Sequence, residues 1–148
     1  MVHISLSVEV KASQSAVFEY FTQWTRQNEW MLGTKVEILN PELDPRALSV
    51  GSEIAAFTGI GPLGFLDTMR ITVIEPPFRV DVLHLGRVVR GTGTMLVEAT
   101  SENTSRFVWS EDLDLPLGWF GRFGFVFVKP FFLAGVKASL KKFARKFD

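Results

Sequence analysis

The sequence predicts an α+β fold in which a curved antiparallel sheet wraps around a long C-terminal helix. Three observations carry this. The chain opens on a strictly alternating segment, its middle is a succession of strand-like runs parted by turn residues, and its last third switches to helical spacing with one apolar stripe.

In the opening VHISLSVEV, residues Val2, Ile4, Leu6, Val8 and Val10 share one face, while His3, Ser5, Ser7 and Glu9 share the other. This is a half-buried strand with His3 turned to solvent. In KASQSAVFEYFTQWTRQNEWM, Ser13 or Ser15 can cap a helix, and Val17, Phe18, Phe21 and Trp24 recur at helical spacing. Two short helices are expected, with a break near Thr25 to Gln27.

Strands resume at TKVEIL. An Asn-Pro and Asp-Pro loop leads to GSEIAAFTG and then LDTMRITVIE, which Pro76-Pro77 ends because proline lacks the donor a ladder needs. FRVDVLHL and VVRGTGTMLVEAT flank a turn near Gly86, and SENTS turns the chain into RFVWSEDLDL. The Gly91 to Thr94 glycines lack the strand-then-helix setting of a phosphate loop and read as strand glycines easing curvature.

From about Pro116 the chain reads as a long helix. Phe132, Val136, Leu140, Phe143 and Phe147 form its stripe, with Pro130 marking a kink or the start of the regular helix. Cations in its last turns suit the helix dipole. Leu117 to Val136 has the length of a membrane span, but Arg122, Lys129 and Pro130 interrupt it, and a central Arg or Lys costs about 2.5–3.5 kcal/mol. A spanning helix is not expected.

Composition narrows the function. A chain of 148 residues fits a single domain, residues 1–148, and has length enough for a sizeable core. Fourteen Phe and four Trp against one Tyr supply much apolar area with little hydrogen-bonding demand, which suits a dense core or an apolar cavity wall. Sixteen basic residues balance sixteen acidic ones, so no overall field points to nucleic acid. With no Cys and two His, thiolate chemistry is excluded and the common zinc sites are not available, so neither metal nor cofactor is expected. No basic segment followed by an apolar run opens the chain, so a cytoplasmic protein is the default expectation.

Together, the opening strand with its Ser-Ala-Val-Phe helix start, the Trp24 and Trp30 segment leading into KVEIL, the VIEPPFRV turn and the GTGTMLVEATSENTSRFVW hairpin resemble the START-like (Bet v 1-like) superfamily, in particular its polyketide cyclase/dehydrase and lipid-transport type. The resemblance spans nearly the whole chain without a single signature motif. It implies the helix-grip fold, a sheet of seven strands gripping the C-terminal helix with a deep apolar cavity between them. Carriers, receptors and aromatase/cyclases share that architecture, so it is a poor guide to chemistry and brings no universal catalytic residue.

Strand parity selects polar residues that point inward. In FRVDVLHLGRV, His84 follows Phe78, Val80 and Val82, with Arg79, Asp81 and Arg87 opposite; in LDTMRITVIE the inward row is Asp67, Met69, Ile71 and Val73; in RFVWSEDL it is Phe107, Trp109, Glu111 and Leu113. Asp67, His84 and Glu111 are therefore expected to converge on one space beside Trp109. There they orient the polar end of an apolar ligand or act as acid and base. The alternatives are a structural His84 satisfied by a carbonyl or a water, Asp67 at the rim or reversed by a bulge, and Glu111 at an exposed strand end. Met69, Met95, Trp109, Phe57 and Phe127 are candidate walls, or else plain core.

TGIGPLGFL, Thr58 to Leu66, is expected as a greasy lip at the cavity mouth, or a hairpin under the helix. In Gly118 to Phe125, Trp119 and Phe120 near Arg122 suit transient membrane contact, or closure of the barrel end.

The first functional reading is a non-enzymatic binding or transfer protein for a small hydrophobic molecule such as a lipid, isoprenoid or polyketide-like ring. The second is an enzyme of the cyclase/dehydrase kind, with His84 paired to Asp67 or Glu111. The third is an interaction domain contacting proteins through Leu63 to Leu66 and Trp119 to Phe120. The sequence leaves the oligomeric state open.

Overall fold

The computed structural model describes residues 2–60, 63–86, 89–114 and 119–148, without the side chains at 60, 63, 119–123, 125 and 128. Seven strands, β1 (Val2–Val10), β2 (Thr34–Ile38), β3 (Glu53–Ile60), β4 (Leu63–Glu75), β5 (Arg79–Leu85), β6 (Arg90–Ala99) and β7 (Ser105–Leu113), form one antiparallel sheet in the order β1-β7-β6-β5-β4-β3-β2. Helix α1 (Gln14–Phe21) and a 3₁₀ helix (Trp24–Glu29) carry the chain from one sheet edge to the other, and α2 (Trp119–Arg145) ends it. This is the helix-grip architecture, with three helices.

Each element follows from local chemistry. The Ser13 hydroxyl accepts the Ala16 N–H at 3.2 Å and caps α1, which buries Val17, Phe18 and Phe21. The break falls at Thr22 and Gln23, so the expected break at Thr25 to Gln27 lies inside the 3₁₀ turn instead. That turn buries Trp24, whose indole N–H donates to the Ala47 carbonyl at 2.9 Å and pins the loop between β2 and β3. Asp44 braces the same loop, accepting from the Arg46 and Leu48 N–H groups and the Ser49 hydroxyl.

Alternation in β1 holds along its length, with Ile4 and Val10 buried and His3 exposed beside Asp112. One inward row departs from parity. The β4 register slips between Ile71 and Val73, so Ile74 rather than Val73 packs on the core below Ile71. Phe78 also falls off its expected row: β5 begins at Arg79, and Phe78 sits 42% exposed in the turn before it. The stretch 58–60 and 63–66 belongs to the β3 and β4 arms of a hairpin, which replaces the expected surface loop, while 61 and 62 lie outside the described residues.

The core is aromatic. Phe21, Trp24, Trp30, Phe107 and Phe143 meet edge-on or tilted, with Phe143 ring centroids 4.9 Å from both Trp30 and Phe107. Val136, Leu140 and Phe143 are the buried stripe of α2, with Phe132 and Phe147 partly buried at its ends. Helix α2 runs through Pro130 without interruption, and the expected start at Pro116 lies outside the described residues. Among the described residues no helix is long and apolar enough to cross a membrane.

Truncating Phe143 to Ala removes the ring on which α2 seats and should cost about 3–5 kcal/mol. Urea denaturation should show this as a lower midpoint with an unchanged slope. Phe131→Ser, 80% exposed on the opposite side of the same helix, should shift stability by no more than about 0.5 kcal/mol.

Candidate functional site

Between the aromatic floor and the far end of the sheet lies a cavity of about 500 Å³, lined by the 3₁₀ helix, by α2 and by strands β2 to β7. Its walls are mostly apolar, including Trp30, Ile54, Met69, Val82, Met95 and Val136. One wall is polar. There His84, 6% exposed, lies between two carboxylates: Nδ1 is 2.8 Å from Asp67 Oδ1 and Nε2 is 2.7 Å from Glu111 Oε2. The Trp109 indole N–H donates to the other Glu111 oxygen, Oε1, at 2.8 Å.

Three strands build the trio. Met69 on β4 pairs with His84 on β5, which places Asp67, two residues earlier on the same face, diagonally across from the imidazole. Glu111 is on β7, so its carboxylate must cross β6 to reach His84. The residues of β6 in its way are glycines: Gly91 pairs with His84, and Gly93 pairs with both Val82 and Glu111. A Cβ at Gly93 would lie 2.9 Å from Glu111 Oε2 and 3.1 Å from a Val82 methyl. At Gly91 it would lie 1.9 Å from the Asp112 carbonyl, and the backbone there has φ of 120°. Gly93 thus clears a lane for the Glu111 carboxylate, while Gly91 is required by its backbone conformation and by the close approach of the Asp112 carbonyl.

Both imidazole nitrogens face carboxylate oxygens, an arrangement that favours the imidazolium, in which both nitrogens donate. Burial alone would lower its pKa. The hydrogen bonds to Asp67 and Glu111, then the two negative charges, overcome that penalty and raise it from 6.5 to about 10. With both nitrogens committed, the imidazole offers no lone pair to a metal, and among the described residues no group of three His, Cys, Asp or Glu side chains is placed to hold an ion.

Of the residues selected by parity, Asp67, Met69, His84, Met95, Trp109 and Glu111 line this one space. Phe57 and Phe127 do not. Phe57 pairs with Leu66 on the outer face of the sheet, where its ring covers Gly64, and Phe127 is 64% exposed on α2. The Trp119, Phe120, Arg122 and Phe125 side chains, Gly118, Arg87 and the Leu63 side chain lie outside the described residues.

Gln27 and Ser139 are among the lining residues that escaped the sequence reading. Gln27 on the 3₁₀ helix is 7% exposed, borders the cavity and has no side-chain hydrogen bond among the described residues. Ser139 on α2 donates to the Gly135 carbonyl and accepts the Leu32 N–H, tying the helix to the turn before β2. Neither carries a strand-parity signal, because both sit on helical segments whose inward faces depend on docking.

The sequence model of the polyketide cyclase / dehydrase and lipid transport family matches residues 1–148. The chain belongs to that family. Among solved structures, it is similar to a START superfamily protein from Mycobacterium smegmatis, with 11% identity, 99% of each chain covered and a TM-score of 0.75. It is similar also to the Zhui aromatase/cyclase from Streptomyces sp. R1128, with 16% identity, 99% and 96% covered and a TM-score of 0.74. The match to the di-domain aromatase/cyclase BexL of the BE-7585A biosynthetic pathway has 13% identity and a TM-score of 0.72; it covers 98% of this chain but 46% of BexL. At these identities the structural likeness establishes the fold alone. No curated protein sequence matches the chain.

The trio makes stability depend on pH with a definite sign. The folded pKa of His84 lies above its unfolded value, so its stabilisation is complete below about pH 6.5 and is lost as pH rises to about 10, at up to about 1.4 kcal/mol per pH unit. The difference in urea midpoint between the parent and His84→Gln should shrink across that window, and imidazole NMR shifts should show His84 still protonated at pH 8. Gly93→Ala should fold but displace the Glu111 carboxylate, and the same NMR titration should show a lower His84 pKa.

Proposed function

We propose that the protein binds or transfers a small hydrophobic molecule, a lipid, isoprenoid or polyketide-like ring, in the cavity between the sheet and α2. The observation that carries this reading is the polar wall of Asp67, His84 and Glu111 in a mostly apolar space of about 500 Å³. Apolar walls select for size and hydrophobicity, while a few fixed polar groups orient what enters.

The chemistry of that wall favours a ligand with a hydrogen-bond donor. His84 and Trp109 spend their N–H groups on carboxylates, and Asp67 Oδ2 has no hydrogen-bond partner among the described residues. A ligand hydroxyl donating to Asp67 fits that arrangement, and Gln27 offers an amide elsewhere on the lining.

A cyclase or dehydrase is the second reading, supported by family membership. With His84 as base and Asp67 or Glu111 as its partner, it is the weaker one, because a doubly bonded imidazolium has no lone pair to accept a proton near neutral pH. Catalysis through His84 would first require one carboxylate to leave.

Native mass spectrometry of freshly purified protein, followed by solvent extraction, should reveal a stoichiometric apolar adduct released on denaturation. Met69→Trp, which fills the cavity from β4, should abolish the adduct and the uptake of an added fluorescent fatty acid while circular dichroism stays unchanged. An empty parent that takes up no such probe would overturn the binding reading.

A further inference from the structure

The side of α2 turned away from the sheet carries a pattern of its own. Phe127, Phe131, Ala134, Ala138, Lys141 and Arg145 recur at spacings of four, three, four, three and four, and all are exposed. This stripe lies opposite Val136, Leu140 and Phe143. Phe127 is 64% and Phe131 80% exposed, with Val126 beside them at 65%. The early turns of α2 therefore present large apolar side chains to solvent, and the last turns present cations.

Charge is segregated to match. Residues 115–147 contain seven Lys and Arg and no acidic residue, whereas all sixteen acidic residues lie elsewhere in a chain of zero net charge. Among the described residues Lys137, Lys141, Lys142 and Arg145 form no ion pair, while Arg26, Arg70, Arg79 and Arg106 each do. These four α2 cations border a shallow groove with Leu32, itself 48% exposed. Leu32 and Phe131 also line the cavity, so this surface adjoins its mouth.

We propose that this face of α2 docks the protein on an anionic lipid bilayer. Phe127 and Phe131 enter the interface between headgroups and acyl chains, and Lys137, Lys141, Lys142 and Arg145 lie over the phosphates. Apolar side chains buried in the interface and cations attracted to anionic lipid act additively in such docking. A nucleic acid or a free phosphate would use the cations alone and leave the exposed Phe pair unexplained, whereas a bilayer uses both halves of the stripe. The proposal stands whether or not the cavity holds a ligand.

The test is co-sedimentation of the full chain with vesicles of phosphatidylcholine alone and of phosphatidylcholine mixed with phosphatidylglycerol. The protein should bind the mixed vesicles, bind the neutral ones poorly and be released by salt. Lys141→Gln combined with Lys142→Gln should weaken binding about 30-fold. Phe127→Ser combined with Phe131→Ser should weaken it about tenfold or more. All four side chains are exposed, and near-ultraviolet circular dichroism should confirm that each double variant keeps its core. Equal binding to both kinds of vesicle, or no binding to either, would overturn the proposal. So would a Phe double variant that binds like the parent, which would mark the surface as a site for polyanions in general.

Discussion

The seat of Phe143 among Trp30, Phe107 and Tyr20 is the contact on which the rest of the molecule depends. It joins the last helix to the 3₁₀ turn, to β7 and to α1 at once, and so decides where the axis of α2 crosses the sheet. Because aromatic rings fill that end to close packing, the curl of the sheet is left unfilled at the other end. The cavity is the remainder of a core packed from one side, and its floor is made of the same rings, Trp24, Trp30 and Phe107, that hold the fold together.

The polar wall is a second consequence of sheet geometry. A carboxylate on β7 can approach an imidazole on β5 only if β6 contributes no side chain in its path, and the glycine at 93 meets that condition. Once both carboxylates arrive, the histidine is charged and immobile: its two donors are matched by two acceptors at hydrogen-bonding distance. A buried arrangement of this kind contributes little net stability when complete and costs much when one partner is removed. It suits a fixed electrostatic feature of the cavity better than a proton shuttle.

Helix α2 has two working faces of different kinds. The inner stripe binds the sheet through Val136, Leu140 and Phe143, while the outer stripe runs from exposed aromatic residues to cations that form no ion pair among the described residues. Averaged around the helix these patterns partly cancel, because both sides of its first half are apolar. Only the docked structure separates the side chains that pack from those left to solvent.

The sequence by itself determined the α+β class, the strands and the inner stripe of α2, because alternation and helical spacing are written in the order of residues and need no partner to be read. It also placed Asp67, His84 and Glu111 on inward faces, since parity is a local property of each strand. Tertiary structure decided what parity cannot carry across strands. The slip at Ile71 and Val73 turned Val73 out and Ile74 in. Pairing with Leu66 on the outer face removed Phe57 from the cavity, and docking of α2 left Phe127 outside it. Docking of the helices brought Gln27 and Ser139 to the lining. Strand order put Gly93 between β5 and β7, and with it the second of the two carboxylate contacts that raise the His84 pKa; Asp67 reaches it across the β4–β5 pair at 2.8 Å, and Glu111, 27 residues away in sequence, reaches it at 2.7 Å.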